Sequence, residues 1–317
     1  LVIKYITSRA GKMKHEELRD AILSFPELAE SESEAACYKV LNSYLKEFTV
    51  ERAMLAEADD IAELERFRKI VLPVVLESTL CRYIYEKPRG YAGDFITQEM
   101  IWFGRTLGGS HRYAGSTKAG EILNSLILGT ENCRANEARI KYFRKLAESA
   151  HRIASIGSGS AIDFWECSLQ DVDIFLLDMD QGALDRAKEK LTQNISVTYT
   201  CQNILKFCLG RKKADCVPDR DLVYASGLFD YFDLAASRRI ADGIWRMVLP
   251  GGELVITNAE FGNPTRLWME YGGDWFLLYK TREQMAEIAE GLADVKSYEV
   301  MIDEFGVYQY LRVRKEG

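Results

Sequence analysis

The second half of the chain alternates short apolar runs with amphipathic helical patterns such as ALDRAKEKL. The apolar runs are rich in β-branched residues and lie at 153–157, 172–178, 195–200, 221–226 and 252–258. This alternation is typical of a parallel sheet with helices on both faces. Strands buried on both faces read as nearly continuous apolar runs, which is the pattern seen here. We therefore predict a doubly wound α/β domain.

The C-terminal stretch VKSYEVMIDEFGVYQYLRVRK (295–315) has a different pattern from the runs before it. Two segments of alternating apolar and polar residues are joined around Phe305-Gly306. Alternating segments joined by a short turn are typical of an antiparallel pair. The sequence therefore predicts an antiparallel pair at one edge of an otherwise parallel sheet.

Residues before about 148 place apolar side chains at three- and four-residue spacing, which predicts helices. The predicted helical segments are 14–25, 33–48 and 50–72. Two glycine-containing segments, 87–95 and 104–120, interrupt this pattern. No linker rich in proline, glycine or serine separates the two halves near residue 148. We therefore expect a helical cap domain over 1–148 that packs on an α/β domain over 149–317.

The composition argues against several classes of protein. Lys and Arg number 41 against 48 Asp and Glu, and the net charge of −7 disfavours a nucleic-acid partner. No apolar stretch approaches the roughly 20 residues that span a bilayer. The seven cysteines form no C-x-x-C pair, and with three histidines the spacing of a zinc site is absent. We expect a cytoplasmic protein with reduced thiols and with no metal, membrane or nucleic-acid partner; the oligomeric state stays open.

The first apolar run opens the stretch IASIGSGSAIDFWE (153–166), which breaks at two glycines and continues as a helical pattern. A strand that ends in Gly157-Ser158-Gly159 and enters a helix near Ala161 leaves backbone N–H groups free at the helix N-terminus. Glycine also lets a ligand approach the backbone closely. The stretch therefore predicts a site for a nucleotide-type cofactor.

Asp178 ends the second apolar run, about 20 residues after Gly157, where an acid binds ribose hydroxyls in dinucleotide sites. Alternatively, Asp178 or Asp180 caps the helix that follows. NAD and S-adenosylmethionine both present such a ribose. The dinucleotide fingerprint has a third glycine where this chain has Ile162. The residues therefore favour S-adenosylmethionine, which needs no pyrophosphate cradle, and leave an NAD-dependent oxidoreductase as a distant alternative.

Several segments together resemble a known family, and the resemblance covers most of the chain after about residue 80. They are KPRGYAGDF, IASIGSGSA, IFLLDMDQGAL, ASGLFDYF and LPGGELVITNAEFGNPTRLWMEYGGDWFLLYKT. These segments resemble class I S-adenosylmethionine-dependent methyltransferases, and within them the extracellular-factor (3-hydroxypalmitic acid methyl ester) biosynthesis group. The resemblance implies a Rossmann-like sheet, mostly parallel with an antiparallel C-terminal strand, an N-terminal all-helical cap, and S-adenosylmethionine as cofactor.

The same resemblance implies a role for each loop that follows a strand. Gly157, Ser158 and Gly159 approach the cofactor, Asp178 binds the ribose hydroxyls, and Met179 packs on the adenine. Gln202, Asn203 and Ile204 edge the adenine. Ala225, Ser226 and Gly227 lie near the methionine part of the cofactor.

The sequence departs from the family pattern at two positions. Ser155 stands where an acid often precedes the glycine loop. Ala161 stands where the methyltransferase pattern, as distinct from the dinucleotide fingerprint, has its third glycine. The first departure leaves open which residue holds the amino group of the cofactor.

KPRGYAGDF (87–95) has two interpretations. In the structural one, Pro88 fixes φ in a tight turn and Asp94 caps the following helix. In the functional one, the segment folds over the cofactor as a lid, because loops often carry function. Tyr91 is then a candidate catalytic residue and Arg89 a candidate substrate-binding residue.

GLFDYF (227–232) follows the fourth strand, where methyl acceptors lie in this fold. Asp230 and Tyr231 are therefore candidate catalytic residues that orient the acceptor. The alternative is that Asp230 or Asp233 caps the helix starting near Leu234, and we favour this role for Asp233. Asn258, at the end of the fifth strand, either binds an acceptor carboxylate or hydroxyl or satisfies backbone groups of its own loop.

The segment 259–280 is rich in aromatic residues, which are Phe261, Trp268, Tyr271, Trp275, Phe276 and Tyr279. Such a stripe is more often packing than a ligand site. We nevertheless expect Phe261, Trp275 and Tyr279 to line an acceptor pocket and to face the sulfonium through cation–π contacts. The pocket is expected between KPRGYAGDF, GLFDYF and this aromatic segment.

Methyl transfer from a sulfonium is an in-line displacement, so a carboxylate or thiolate acceptor needs positioning but no base. An amine or hydroxyl acceptor needs a base, and the histidines at 15, 111 and 151 are poorly placed for it. We therefore expect a methyltransferase acting on a small molecule, such as a carboxylic acid of secondary-metabolite or signal biosynthesis. Two alternatives stay open: transfer or cyclisation of the aminocarboxypropyl arm, and a non-catalytic S-adenosylmethionine-binding module.

Overall fold

The structure is a computed structural model, and it describes residues 10–33, 36, 61–107, 115, 117–165, 167, 169–191, 195–209, 217 and 219–317. Most of the helix predicted over 33–48, and the part of the next predicted helix before residue 61, lie outside the described residues. So does His111 in the glycine-rich segment 104–120.

The described residues before the sheet form helices joined by turns, as predicted for an all-helical N-terminal part. The helices are α1 (Ala10–Ser31), α2 (Ile61–Val75), α3 (Thr79–Glu86), α4 (Phe95–Leu107), α5 (Lys118–Leu128) and α6 (Glu131–Ala147). Side-chain caps define two of their starts. The Ser78 hydroxyl accepts a hydrogen bond from Cys81 N at α3, and Thr117 accepts one from Gly120 N at α5.

Strands and helices alternate over the rest of the chain. The strands are β1 (Arg152–Ile156), β2 (Asp173–Asp178), β3 (Ser196–Cys201), β4 (Arg220–Ala225), β5 (Val248–Ala259), β6 (Val295–Ile302) and β7 (Tyr308–Lys315). The helices are α7 (Gln181–Lys190), α8 (Ile204–Leu209), α9 (Leu234–Trp245), α10 (Arg266–Gly273) and α11 (Arg282–Glu290). Short 3-10 turns, Ile162–Phe164 and Phe229–Tyr231, follow the loops after β1 and β4.

The seven strands form one sheet in the order β3-β2-β1-β4-β5-β7-β6. Strands β1 to β5 pair in parallel, whereas β7 is antiparallel to both β5 and β6. The doubly wound sheet and its antiparallel C-terminal pair are therefore confirmed. The Rossmann-like order reverses at β1, so the loops after β1 and β4 lie at the switch point, where open α/β sheets bind ligands.

The two faces of the sheet bury different kinds of side chain. One face presents Ile156, Val223 and other apolar residues to Ile240 of α9 and Ile288 of α11 in a single buried cluster. On β4 the neighbouring Tyr224 stacks on Phe143 of α6, with ring centroids 4.4 Å apart. Alternation of side chains along a strand explains why adjacent residues face different helices.

The chain divides into two compact units at boundaries that differ from the predicted one at 148. The first unit comprises Leu1–Asn136 and Pro264–Phe276, and the second comprises Glu137–Asn263 and Leu277–Gly317. The second half of α6 belongs with the sheet because Phe143 packs on β4.

The segment Pro264–Phe276 belongs with the helices of the first unit. Arg68 donates to the backbone oxygen of Glu270 at 2.6 Å. Arg68 and Lys87 also form ion pairs with Asp274, at 2.8 and 2.6 Å. The predicted role of the helical part as a cap stays a prediction. No helix within the described residues is both long and apolar enough to cross a membrane.

Candidate cofactor and acceptor site

The loop after β1 adopts the backbone conformation that its glycines suggest. Gly157, Gly159 and Ala161 have φ angles of 68°, 53° and 55°, in the left-handed region. A Cβ atom added at Gly157 would lie 3.1 Å from Leu228 Cδ1. Both the positive φ and this close approach therefore favour glycine at position 157.

Asp178 connects the end of β2 to the glycine loop. One carboxylate oxygen accepts a hydrogen bond from Gly159 N and the other accepts one from Asp180 N, both at 2.8 Å. The residue is buried, and burial raises the pKa of its carboxyl group. The predicted alternative of a helix cap applies to Asp180 instead, since its carboxylate accepts from Gly182 N at the start of α7.

The ends of β2 and β3 bring together the residues expected around an adenine ring. Met179 directly follows the last residue of β2, and its side chain is 63% exposed. Gln202 N donates to the backbone oxygen of Asp178 at 2.8 Å. The Asn203 side chain accepts from Leu205 N and caps α8, while Ile204 is buried in the core. Their predicted contacts with a cofactor stay predictions.

The loop after β4 lies close to the buried guanidinium of Arg139. Ala225 is buried, Ser226 and Gly227 are half-buried, and Gly227 has a φ of 75°. Gly227 N donates to Thr257 Oγ1 at 2.8 Å. A Cβ at Gly227 would lie 2.9 Å from Arg139 Nη1. The positive φ therefore favours glycine at position 227, and a Cβ there would also require the Arg139 guanidinium to shift.

A buried polar chain lies beside the first strand. Tyr224 donates its hydroxyl hydrogen to Asp163 Oδ2 at 3.1 Å and is also hydrogen-bonded to Ser155. Burial raises the pKa of Asp163 to about 6, although Arg139 and Arg144 oppose the shift. A carboxyl group thus lies close to Ser155, although the sequence has no acid at that position.

Asp230, in the GLFDYF segment, is a buried carboxylate that links the loops after β4 and β5. Its Oδ1 accepts a hydrogen bond from Ala259 N at 2.6 Å, and its backbone oxygen accepts from Leu278 N at 2.7 Å. Burial raises the pKa of Asp230 to about 6, against the opposing charges of Arg139 and Lys280. The alternative of a helix cap is confirmed for Asp233 instead, which accepts from Ala236 N at 2.7 Å.

Lys280 is a buried cation at the same end of the sheet. Its Nζ donates to the backbone oxygens of Phe229 and Phe232 and to Asn258 Oδ1, at 2.9, 2.7 and 2.9 Å. Burial lowers the pKa of Lys280 to about 8, although the carboxylates of Asp230 and Asp233 oppose this. Lys280 therefore ties the turn Phe229–Tyr231 to the end of β5.

The side-chain amide of Asn258 is bonded within the chain. Its Nδ2 donates to the backbone oxygens of Ala259 and Leu278, at 2.9 and 3.2 Å, and its Oδ1 accepts from Lys280. These are the loop contacts given as the alternative to an acceptor role. Both N–H groups are occupied, so any substrate contact would have to use the remaining lone pair of Oδ1.

The segment KPRGYAGDF shows the capping contact of its structural interpretation. Asp94 Oδ1 accepts from Thr97 N at 3.0 Å, at the start of α4, and Oδ2 accepts from the Tyr83 hydroxyl. Arg89 is exposed, with its Cζ 4.9 Å from the centroid of the Phe95 ring. Tyr91 is half-buried. The lid interpretation for Arg89 and Tyr91 stays a prediction.

The predicted acceptor residues are divided between the two units. Arg89, Tyr91 and Trp275 belong to the first unit. The second unit holds Asp230, Tyr231, Asn258, Phe261 and Tyr279. Phe261 is exposed and packs edge-on against Tyr279 at 6.4 Å, whereas Trp275 is buried.

Arg139, Asp163, Tyr224 and Lys280 carry buried polar contacts that the sequence analysis did not single out. Lys280 offered one signal, since it is the first cation after the aromatic run DWFLLY. Arg139 looks like an ordinary polar position of an amphipathic helix, and its burial depends on residues about 90 and 170 positions away. Among the described residues there is no cluster of three His, Cys, Asp or Glu side chains suited to a metal ion.

The strand order and the loop after β1 define the class as a Rossmann-like α/β fold. No protein-family model and no curated protein sequence matches the chain. Among solved structures, a possible exported protein from Bordetella parapertussis is similar with a TM-score of 0.61 at 16% identity, over 91% of this chain and 98% of that chain. At this identity the likeness shows the fold alone.

Two further similar structures contain bound S-adenosylhomocysteine. The N-methyltransferase NodS from Bradyrhizobium japonicum WM9 has a TM-score of 0.44 at 15% identity, over 57% of this chain and 88% of that chain. Magnesium protoporphyrin IX methyltransferase (ChlM) from Synechocystis PCC 6803 has a TM-score of 0.45 at 9% identity, over 60% of this chain and 87% of that chain. Both TM-scores are below 0.5, so the fold assignment rests on the strand order and on the first structure.

Proposed function

We propose that this chain is an S-adenosylmethionine-dependent methyltransferase acting on a small-molecule acceptor. The observation that carries the proposal is the pair of hydrogen bonds that joins Asp178 to Gly159 N and Asp180 N. They hold an acid and a glycine loop together at the switch point of the sheet, where nucleotides bind. A carboxylate has about four acceptor sites, and the backbone N–H groups of Gly159, Asp180 and Met179 use three of them, so one remains for a ribose hydroxyl.

The cofactor we propose is a nucleoside with an amino-acid tail rather than a dinucleotide. Ile162 occupies the position of the third glycine and is buried in the 3-10 turn after the loop. In the dinucleotide fingerprint a glycine at this position lets the helix pack closely on the strand. This chain has the larger Ile162 there instead. The exposed side chain of Met179 is our proposed platform for the adenine ring, since it follows the proposed ribose-binding acid directly.

Asp163 is our proposed partner for the ammonium group of the cofactor. The Asp163 carboxyl group and the Ser155 side chain are both hydrogen-bonded to the Tyr224 hydroxyl. Asp163 therefore places a carboxyl group near position 155, where the sequence itself has no acid. A cation placed there would also lower the raised pKa of Asp163 and favour its ionised form.

S-adenosylmethionine, when bound, supplies an electrophilic methyl group on a sulfonium. This chain's residues bind the cofactor, orient the acceptor and exclude water. We assign the orientation of the acceptor to Asp230 and Tyr231, in a turn that Lys280 holds against β5. The buried Asp230 carboxylate already accepts from Ala259 N, which favours an acceptor that needs no strong base, such as a small carboxylic acid of secondary-metabolite or signal biosynthesis.

Product analysis tests this proposal. The protein is incubated with S-adenosylmethionine and a panel of small carboxylic acids, thiols, phenols and amines, and the cofactor product is identified by mass spectrometry. Methyl transfer releases S-adenosylhomocysteine and adds a methyl group to the acceptor. Methylthioadenosine would instead show transfer or cyclisation of the aminocarboxypropyl arm. Cofactor binding without either product, across the panel, would contradict the proposed enzyme and favour a binding module.

A further inference from the structure

Strand β6 is the last strand in the order of the described sheet and is paired with β7 on one side. Just beyond the strand, Asp303 N donates to Tyr308 O at 2.9 Å. Bonded pairs alternate along an antiparallel ladder, so the backbone groups of Glu299 and Met301 also point towards β7. The backbone groups of the residues between them point away from the sheet, and these residues are Tyr298, Val300 and Ile302.

The same three residues carry an apolar face beside this edge. Side chains two positions apart share one face of a strand. Val300 is buried in the cluster that includes Ile288 of α11, and the Tyr298 hydroxyl donates to Glu290 Oε1 at the end of α11, at 2.7 Å. Tyr298 and Ile302 nevertheless stay 40% and 49% exposed. Strand β3, at the opposite edge, carries no exposed large apolar side chain.

Little in the strand itself prevents a further strand from pairing with β6. Sheet edges are commonly protected by proline, by a bulge or by charged side chains. Residues 297–302 contain no proline, and the irregularity in the ladder lies between Val295 and Ser297, at the start of the strand. Glu299 is the one charged residue of 297–302, and it forms an ion pair with Arg312 at 3.5 Å. The edge is therefore open to a strand of suitable sequence.

The sequence of β6 is complementary to itself. Two copies related by a two-fold axis pair antiparallel, and outward backbone groups meet outward groups when the axis passes through a residue of the strand. With the axis at Val300, Tyr298 lies opposite Ile302 of the second copy, and this pair occurs twice. Lys296 then lies opposite Glu304 of the second copy, which also occurs twice. Aromatic–β-branched pairs and opposite-charge pairs both stabilise neighbouring strands.

The neighbouring registers are less favourable. With the axis at Glu299, this carboxylate faces its own copy, and with the axis at Met301, Glu299 faces Asp303 of the second copy. Like charges directly opposite each other destabilise a strand pair. With the axis at Tyr298, an apolar side chain faces Lys296. Of these four registers, only the one with the axis at Val300 pairs apolar with apolar residues and avoids like charges.

We propose that β6 pairs antiparallel with β6 of a second copy of this chain, about a two-fold axis at Val300. The two sheets then form one continuous sheet, and the exposed side chains of Tyr298 and Ile302 cover each other. This surface lies within the second unit. The proposal does not depend on the methyl-transfer proposal.

Sedimentation velocity and hydrogen exchange of the full chain test the proposal over a series of protein concentrations. Sedimentation should show a species of twice the chain mass of 36.1 kDa that increases with concentration. Amide exchange, resolved to single residues, should slow at Tyr298, Val300 and Ile302 as the dimer forms, because their N–H groups become hydrogen-bonded. Glu299 and Met301, already bonded to β7, should change little. This pattern separates pairing of β6 from a dimer formed by another surface.

Two double variants test the register. Tyr298→Lys with Ile302→Lys places two lysines opposite each other twice, so the dissociation constant of the dimer should rise at least about tenfold. Tyr298→Lys with Ile302→Glu places opposite charges at the same positions and should recover most of this loss. Leu23→Lys is the control, because it replaces an exposed apolar side chain of α1 that lies outside β6. It should leave the dissociation constant unchanged.

Several results would overturn the proposal. A monomer throughout the concentration series is one, and a dimer without slower exchange at Tyr298, Val300 and Ile302 is another. Equal dissociation constants for the two double variants would refute the register. Association into open chains rather than dimers would show that β6 meets a different edge, such as β3. If a double variant does not fold, the exchange pattern of the unaltered protein still decides.

Discussion

At the scale of single residues, Asp178 carries the proposed cofactor site. In Asp178→Asn one carboxylate oxygen becomes an amide donor, so the proposed ribose hydrogen bond is weakened and a bond from Gly159 N or Asp180 N is lost. We expect the affinity for S-adenosylhomocysteine to fall by roughly 1.5–3 kcal/mol, or about 10- to 150-fold. Isothermal titration calorimetry measures this change.

Asp180→Asn is the matched control for Asp178. Asp180 caps α7 through Gly182 N, and asparagine is an equally good N-cap. Cofactor affinity should therefore stay close to that of the unaltered protein. Equal losses in the two variants, or no loss in a folded Asp178→Asn, would remove Asp178 from the site.

Asp163 leads to a prediction about stability and pH. Burial raises its pKa from 3.8 to about 6. The folded state therefore binds more protons than the unfolded state between these values, so this group's contribution to stability falls as pH rises. In Asp163→Asn that loss is removed, while Tyr224 can still donate to the amide oxygen. Relative to the unaltered protein, the free energy of unfolding should rise between pH 4 and 6 by up to roughly 3 kcal/mol and then level off.

Urea unfolding at several pH values checks the Asp163 prediction, with cofactor affinity measured beside it. If Asp163 holds the ammonium group, Asp163→Asn should bind S-adenosylhomocysteine more weakly. Its free energy of unfolding should not fall below that of the unaltered protein. A stability difference that does not vary with pH would refute the titration argument. Unchanged affinity would refute the ammonium role.

The residue roles could be predicted from sequence only in part. The caps at Asp94 and Asp233 follow from local spacing, and the structure shows both capping bonds. The position of Asp178 at the end of a strand also follows from the pattern, whereas its ribose-binding role stays a prediction. The bonds of Asn258 and Lys280 join residues 22 positions apart. Tyr224 and Asp163 are 61 positions apart. Local patterns contain no information on such pairs, because only the sheet topology brings them together.

At the scale of elements, Lys280 fixes the turn Phe229–Tyr231 against β5. Lys280→Met would remove a donor from three acceptors, of which Asn258 Oδ1 is a side-chain amide oxygen buried in the sheet, and would remove one of the two cations, with Arg139, that act on the Asp230 carboxylate. Removing one partner of a buried charged network typically costs about 3–5 kcal/mol. We expect a loss of this size in the free energy of unfolding, together with slower turnover, because Tyr231 lies in the turn that is released.

Lys315→Met is the control for Lys280. Lys315 is half-buried and donates to the backbone oxygens of Val248 and Trp245, at 2.8 and 3.3 Å. Denaturant unfolding of both variants should show a clearly smaller loss for Lys315→Met. Losses of equal size would mean that burial of the Lys280 network adds nothing to the free energy of unfolding.

The elements themselves were well predicted in the second half of the chain. Each predicted run from 153 to 258 became a strand, because apolar β-branched runs between helical patterns have one stable arrangement in a covered sheet. Strand β5 is longer than predicted and begins at Val248, before Pro250 and two glycines. Val248 pairs with Arg220 across an irregularity in the ladder, and no local pattern indicates that pairing.

At the scale of the whole molecule, the division into units depends on long-range contacts. The sequence suggested a boundary at 148, where the pattern changes from helices to strands. The ion pairs of Asp274 with Arg68 and Lys87, and the stacking of Phe143 on Tyr224, place the boundaries elsewhere. Charge pairs between residues about 200 positions apart cannot be recognised from one sequence.

The position of this boundary predicts the behaviour of two fragments. A fragment of residues 149–317 lacks Phe143 and Arg139, which pack on Tyr224 and Tyr308. A fragment of residues 137–317 keeps both. Circular dichroism should show a thermal midpoint several degrees higher for the longer fragment, because stacked buried aromatic pairs contribute about 0.5–1.5 kcal/mol beyond their buried area. Identical midpoints would contradict the assignment of the second half of α6 to the sheet.

The central claim is that the loop after β1 and Asp178 bind S-adenosylmethionine rather than a dinucleotide. Calorimetric titration of the unaltered full chain with S-adenosylhomocysteine and, separately, with NAD tests it most directly. The account predicts saturable one-site binding of S-adenosylhomocysteine and no measurable heat of binding with NAD. Saturable binding of NAD, or no binding of S-adenosylhomocysteine, would contradict it.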